Sequence, residues 1–212
     1  MINSSIQAAL NTSVQLSVND SARLNMLFES AKRQITKSNC DFIELGVFRG
    51  GTALLLASVI KHYQSPCKIH LLDSWEGLPD LAEEDTGTFV KKGVFSASSE
   101  GEVKSWLSKF GLLDVCMTHV GWIEDTLPVI QGRFSLAYID LDLYKPIQFS
   151  LSWLSDKMDN DGVIIVDDYG DESNRRFPGV EKAVSEFISS SDWKIVETAG
   201  ERDQSVRLER AK

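Results

Sequence analysis

Short apolar runs and amphipathic stretches alternate along most of this chain. The runs at 42–46 (Phe42-Ile43-Glu44-Leu45-Gly46), 68–72, 115–120, 136–139 and 162–166 are bounded by polar or glycine residues. That length and bounding predict buried strands. Between them, apolar residues recur at helical spacing. Leu24, Leu27, Phe28, Ala31 and Ile35 follow an Asp20 or Ser21 cap, and similar patterns predict helices over 52–62, 99–110, 146–158 and 180–188. Gly111 stops the third of these helices, and Pro146 suits the first turn of the fourth. Two further strands, 193–197 and 205–208, are joined by the short connection 198–204 and predict a closing antiparallel hairpin. The expected fold class is therefore α/β, a doubly wound and mostly parallel sheet with helices on both faces. Residues 1–19 are polar and are assigned no element, and 77–99 and 170–178 read as loops.

Size and charge narrow the classes. A chain of 212 residues suits one domain with a short appendage, here divided into a helical segment over 1–39 and a main domain over 40–212. The N-terminal helix reads either as a cover for the sheet or as a lid over the site. A net charge of −9 argues against nucleic-acid and anionic-membrane partners. No apolar run approaches the ~20 residues of a membrane span, and the first residues lack a leader pattern. Cys40, Cys67 and Cys116 are scattered and odd in number, so reduced thiols and a cytoplasmic protein are expected.

Chemistry enters at the ends of the strands. The fourth run ends in Asp140 and Asp142, and the fifth in Asp167 and Asp168. In an open parallel sheet, ligands bind in the crevice outside the carboxyl ends of the strands. Four carboxylates gathered there repel one another unless a cation neutralises them, which points to a divalent metal. The glycine-rich turn Glu44-x-Gly46-x-x-x-Gly50-Gly51 leads from strand to helix, as a cofactor loop does, although a structural turn reads the same way. Asp73 lies 29 positions after Glu44 at the end of the second strand, where nucleoside-binding folds hold ribose hydroxyls; a helix cap is the alternative. Trp122, after Gly121 at a strand end, suits covering a flat ring or packing in the core.

Taken together, ELGVFRGGT (44–52), DSWEGLP (73–79), GWIEDTLP (121–128), YIDLDLY (138–144) and VIIVDDY (163–169) resemble the macrocin O-methyltransferase family of macrolide and aminocoumarin sugar O-methyltransferases. The resemblance covers roughly 40–190. It implies a class I methyltransferase (Rossmann-like) fold with seven strands, the last antiparallel. It also implies S-adenosylmethionine and Mg2+ as cofactors. By motif it makes Asp140, Asp167 and Asp168 the metal ligands and Asp142 the general base. Glu44, Gly46, Val47, Phe48 and Gly50 become the cofactor loop, with Asp73, Ser74, Trp122 and Asp140 completing the cofactor set. The family writes glycine between the two acids of the fourth-strand motif, where this chain has Leu141, and its region before the glycine turn is longer.

The expected activity is methylation of one hydroxyl of a vicinal diol on a glycoside or natural-product sugar, with a catechol-like phenol as the second acceptor class. Homo-oligomers occur in the family. A different class, a metal-dependent glycosyltransferase, would use Asp140-Leu141-Asp142 as its DxD motif. That reading leaves the Glu44 turn, Asp73 and Asp167-Asp168 without a role.

Overall fold

The computed structural model describes residues 4–170, 176–201 and 203–211; the middle of the expected 170–178 loop lies outside these. Two helices come first, α1 (Ser4–Leu16) and α2 (Ser21–Ile35). Then follow β1 (Asp41–Leu45), α3 (Gly51–His62), β2 (Ile69–Asp73), α4 (Glu100–Lys109), β3 (Cys116–Val120) and α5 (Ile123–Thr126). β4 (Phe134–Ile139), α6 (Tyr144–Lys157), β5 (Met158–Tyr169), α7 (Pro178–Ser190), β6 (Trp193–Ala199) and β7 (Gln204–Arg210) complete the order.

The seven strands form one sheet in the order β3-β2-β1-β4-β5-β7-β6. β1 to β5 pair in parallel, whereas β7 runs antiparallel to both β5 and β6. This is the expected mixed sheet with its last strand reversed. Both faces are covered. Leu54, Leu56, Leu71 and Leu136 pack with α1 to α4 on one side. Ile43, Leu72, Ile139 and Val166 pack with α5 to α7 on the other. Residues facing alternate sides of each strand explain why β1 and β4 read as continuous apolar runs rather than alternating ones.

Several boundaries differ from the sequence reading, among them those of α1, α6 and β5. α1 occupies a stretch assigned no element: Ile6, Ala9 and Ser13 are its buried stripe, and it packs on α3. Two of these three buried residues, Ala9 and Ser13, are small, so the periodicity is faint although the close packing is good. α6 starts at Tyr144, two residues early, because the buried Asp85 carboxylate accepts the Tyr144 N–H (2.9 Å) and fixes that first turn. β5 begins at Met158 and spans Gly162 with a register shift against β4.

The long connection between β2 and α4 is anchored rather than loose. Asp85 also accepts the Ala82 N–H (2.9 Å), Leu78 and Val94 bond backbone to backbone, and Thr88 donates to the Arg176 carbonyl. Gly179 makes room for this: a Cβ there would lie 1.9 Å from Asp85 Oδ1. The connection therefore lies across the carboxyl ends of the strands, and Leu78, Pro79 and Phe95 form one wall of a cleft.

Candidate active site

At the carboxyl edge of the sheet, β1 and β4 come unusually close. The Gly46 N–H donates to the Leu72 carbonyl (2.9 Å) and the Asp140 N–H to the Leu45 carbonyl (2.8 Å). Gly46 has φ +86°, and a Cβ on it would lie 1.8 Å from the Asp140 carbonyl oxygen. Only glycine allows that approach. The turn then rests on Asp73, whose Oδ2 accepts the N–H groups of Val47 and Phe48, both at 2.8 Å, while Oδ1 accepts that of Trp75 (2.7 Å). No helix starts at the end of β2, so Asp73 closes an Asx turn instead of capping a helix. Phe48, held at φ +48°, is braced through its carbonyl by the Trp75 indole N–H (3.1 Å) and the Ser98 hydroxyl (2.8 Å).

Behind the turn Glu44 is fully buried. One carboxyl oxygen accepts the Thr52 hydroxyl, and Oε2 has no hydrogen-bond partner. Burial drives its pKa up from 4.5 to about 8; the Thr52 bond opposes this and the Asp73 charge adds to it. A folded-state pKa above the unfolded one means that folding favours the protonated form. The associated stability is complete below the ordinary value and is lost as the pH rises through about 8. The ligand-free protein is therefore expected to need less urea to unfold at pH 9 than at pH 6. Glu44→Gln should flatten part of that slope, and an identical pH dependence in both proteins would refute the assignment. Asp140, Asp142 and Asp168 shift in the same direction and account for the slope that remains.

Three of the four expected acids converge. Asp140, Asp142 and Asp168 each offer a carboxylate oxygen, and these atoms lie within 4.8 Å of one another. Asp142 and Asp168 adopt φ +61° and +57°, in the left-handed region that Asp tolerates better than most residues, and this turns both toward Asp140. Burial first, then the neighbouring charges of Asp167 and Asp142, push Asp140 far above the ordinary carboxylate range. Asp168 is raised for the same reasons. Asp142 rises to about 7: burial is the largest cause, and its bond with Asp168 holds it back. Acid gathered this densely, and only partly offset by Arg23, favours a bound cation or a proton-transfer role.

Asp167 departs from the expected grouping. Its carboxylate faces Arg23 of α2, and it also accepts the Tyr138 hydroxyl (2.8 Å), the Ser205 hydroxyl and the Asn19 amide. Asp168, at φ +57°, leaves the strand alternation, and its Oδ1 and both Asp167 oxygens lie 3.1 Å from the same Arg23 Nη1, so the two carboxylates are neighbours across that guanidinium.

The cleft holds about 830 Å3 of empty space, including its open mouth. Among the residues singled out from sequence, Gly46, Phe48, Asp73, Ser74, Trp122, Asp140, Asp142 and Asp168 line it. Glu44, Val47, Gly50 and Asp167 do not; they support the wall from behind. The sequence reading gave Val18 and Phe95 no place on the wall, and Arg23 and Tyr138 none beneath it. Their proximity comes from chain crossings rather than from any local pattern.

A family model described as Macrocin-O-methyltransferase (TylF) matches residues 10–197. The tetracenomycin 4'-O-methyltransferase of Streptomyces olivaceus, named for the dimethoxy-rhamnosyl compound it acts on, is 29% identical over 64% of this chain and 55% of its own length. Demethyldecarbamoylnovobiocin O-methyltransferase of Streptomyces niveus is 29% identical over 72% of this chain and 59% of its own length. These matches span little more than half the length of either relative. The solved structure of the O-methyltransferase NovP superimposes with a TM-score of 0.72 at 26% identity, covering 90% of this chain and 80% of that one.

Proposed function

The chain belongs to the macrocin O-methyltransferase family, and from that premise we propose that it transfers the methyl group of S-adenosylmethionine to a hydroxyl of a vicinal diol on a glycoside or natural-product sugar, with Mg2+. One observation carries the reading: the Asp140, Asp142 and Asp168 oxygens converge in the same cleft wall as the glycine turn and Asp73.

The residues present fit both cofactors. Three hard carboxylate oxygens suit a small divalent cation that keeps further positions open. For S-adenosylmethionine, the first turn of α3 follows the glycine turn and carries no side-chain cap, so its positive end favours an anionic carboxylate on the cleft side of that turn. The unpartnered Oε2 of Glu44 suits an ammonium group nearby. Phe48 and Trp122 offer flat faces to a base, and Asp73 retains lone-pair capacity for a ribose beyond its three backbone bonds.

Asp140, Asp167 and Asp168 would hold the ion, as the family motif assigns, with Asp142 beside them. Bound there, the ion supplies Lewis-acid polarisation of the acceptor's hydroxyls, and the cofactor supplies an electrophilic methyl group. Asp142 takes the proton from the reacting hydroxyl. It is the member of the cluster that leads into α6, and it lies on the cleft wall where an acceptor enters. Phe95, Leu78 and Val18 exclude water from the reacting oxygen. The turn braced by Asp73 keeps the methyl donor in line, and alignment of this kind is worth ~7–11 kcal/mol in favourable cases. Residues 1–39 serve the 40–212 domain as the wall and lid of the acceptor side. The glycosyltransferase reading is not carried forward, since its DxD lies on the fourth strand of a methyltransferase sheet.

Thermal-shift titration is the first test: S-adenosylhomocysteine is expected to raise the melting temperature and UDP-sugars to leave it unchanged. With labelled S-adenosylmethionine, transfer should favour diol-bearing glycosides over catechols and stop with EDTA. Transfer that survives EDTA would remove the metal from the mechanism, and stabilisation by UDP-sugars alone would remove the methyltransferase reading.

A further inference from the structure

Three polar side chains outside every motif cross the sheet on the face covered by α5 to α7. Ile43 pairs with His70 and His70 with Met117, so Asp41 of β1, His70 of β2 and His119 of β3 form one diagonal row on that face. Asp41 Oδ1 accepts the Lys68 N–H (2.7 Å), which leaves Oδ2 to face Nε2 of His70 (3.4 Å). A carboxylate only accepts, so Nε2 carries the ring hydrogen and Nδ1 of His70 presents a bare lone pair. That nitrogen meets Nε2 of His119 at 3.1 Å, with the two ring planes 2° apart. His70 is 5% exposed, and the Phe134 ring packs against it edge-on at 5.5 Å, which fixes the ring. β3 is an edge strand and His119 is half-buried, so water reaches the pair from that edge.

We propose that His70 and His119 form a second metal site, which takes a borderline transition ion such as Zn2+ through Nδ1 of His70 and Nε2 of His119. Imidazole nitrogens suit such ions, whereas Mg2+ prefers the hard oxygens of the cleft. Two Zn–N bonds of ordinary length at a tetrahedral angle set the nitrogens about 3.3–3.4 Å apart, close to the 3.1 Å already present. The ion replaces the hydrogen between the two nitrogens. That hydrogen moves to Nδ1 of His119, so both rings stay neutral and no net proton is lost. Asp41 is then the outer carboxylate that orients the ligating ring and raises its basicity. Waters complete the coordination on the exposed side. Held between β2 and β3, the ion braces an edge strand that runs directly into Gly121 and Trp122 of the cleft wall.

The test is Zn2+ binding to the full chain, measured by competition with a chromophoric chelator, with Mg2+ in excess to fill the carboxylates of the cleft. Asp41→Asn is expected to weaken Zn2+ binding about 10–100-fold, the usual cost of losing such an outer partner, and His119→Gln by ~100-fold or more. His62 is the third histidine and lies on α3, on the other face of the sheet, so His62→Gln should bind as the parent does. Imidazole nitrogen NMR signals of His70 and His119 should shift with Zn2+ while that of His62 stays in place. Amides of 116–120 should then exchange more slowly. A parent protein that binds no Zn2+ overturns the proposal. Unchanged affinity in a folded His119→Gln overturns it too, since the ion would then sit on the cysteines or in the cleft. Should His119→Gln not fold, Asp41→Asn and the parental NMR spectrum decide, and unmoved His70 and His119 signals reject the site. Unaltered exchange of 116–120 in a chain that binds Zn2+ would reject the brace.

Discussion

Asp140→Asn is expected to lower the turnover number for methyl transfer by roughly 10²–10³-fold, the usual loss when one preorganised electrostatic group is removed. Binding of S-adenosylhomocysteine should change little. The asparagine keeps the shape of the side chain, and the backbone N–H of residue 140 still reaches the Leu45 carbonyl, so the β1–β4 contact under the cofactor loop survives. What disappears is a charge at the centre of the Asp140, Asp142 and Asp168 group. Less mutual repulsion also means that Asp168 titrates closer to its ordinary value. Calorimetric titration with S-adenosylhomocysteine, alongside single-turnover rates with saturating acceptor, separates the two effects. A variant that binds the product poorly and keeps its rate would show that Asp140 belongs to the cofactor and not to the ion.

Among the glycines of the described residues, Gly46→Ala should have the largest effect on folding, because it joins the closest backbone clash to a positive φ. The new Cβ would sit 1.8 Å from the Asp140 carbonyl oxygen and 2.8 Å from its carbon, both backbone atoms that cannot rotate away. Strands β1 and β4 would have to separate where they carry the site. The left-handed φ alone costs about 1–2 kcal/mol for an L-residue. With the strand displacement added, a loss of roughly 3–5 kcal/mol is expected, in the range reserved for core overpacking and backbone strain. Gly132→Ala is the control, because Gly132 also has positive φ (+111°) but nothing lies within 4 Å of its Cβ position. Urea unfolding of both variants tests the claim: similar losses in the two would mean that the close approach at Gly46 is not what the glycine is for.

Much of this architecture is written locally. The apolar runs ending in Glu44-x-Gly46, Asp73, Asp140 and Asp168 are strands of a sheet buried on both faces, and such strands cannot alternate with polar residues. The reversed hairpin at the end was legible because 193–197 and 205–208 are too close together for a crossover helix. α1 was not legible, since Ala9 and Ser13 bury little apolar area and show their value only against α3.

The carboxylates show where local reading stops. Their number and their place at one edge of the sheet follow from sequence, because strand ends in a parallel sheet share an edge. Which of them converge does not follow. That depended on Asp142 and Asp168 taking left-handed backbone angles, and on a counter-ion that α2 delivers to Asp167 from 144 positions away. Side-chain direction at the end of a strand is set by whatever stands opposite, and for Asp167 that is Arg23, Tyr138 and Ser205. The sequence by itself determined that acids would line this edge; the tertiary structure decided which three face the cleft, because only folding brings their partners within hydrogen-bond reach.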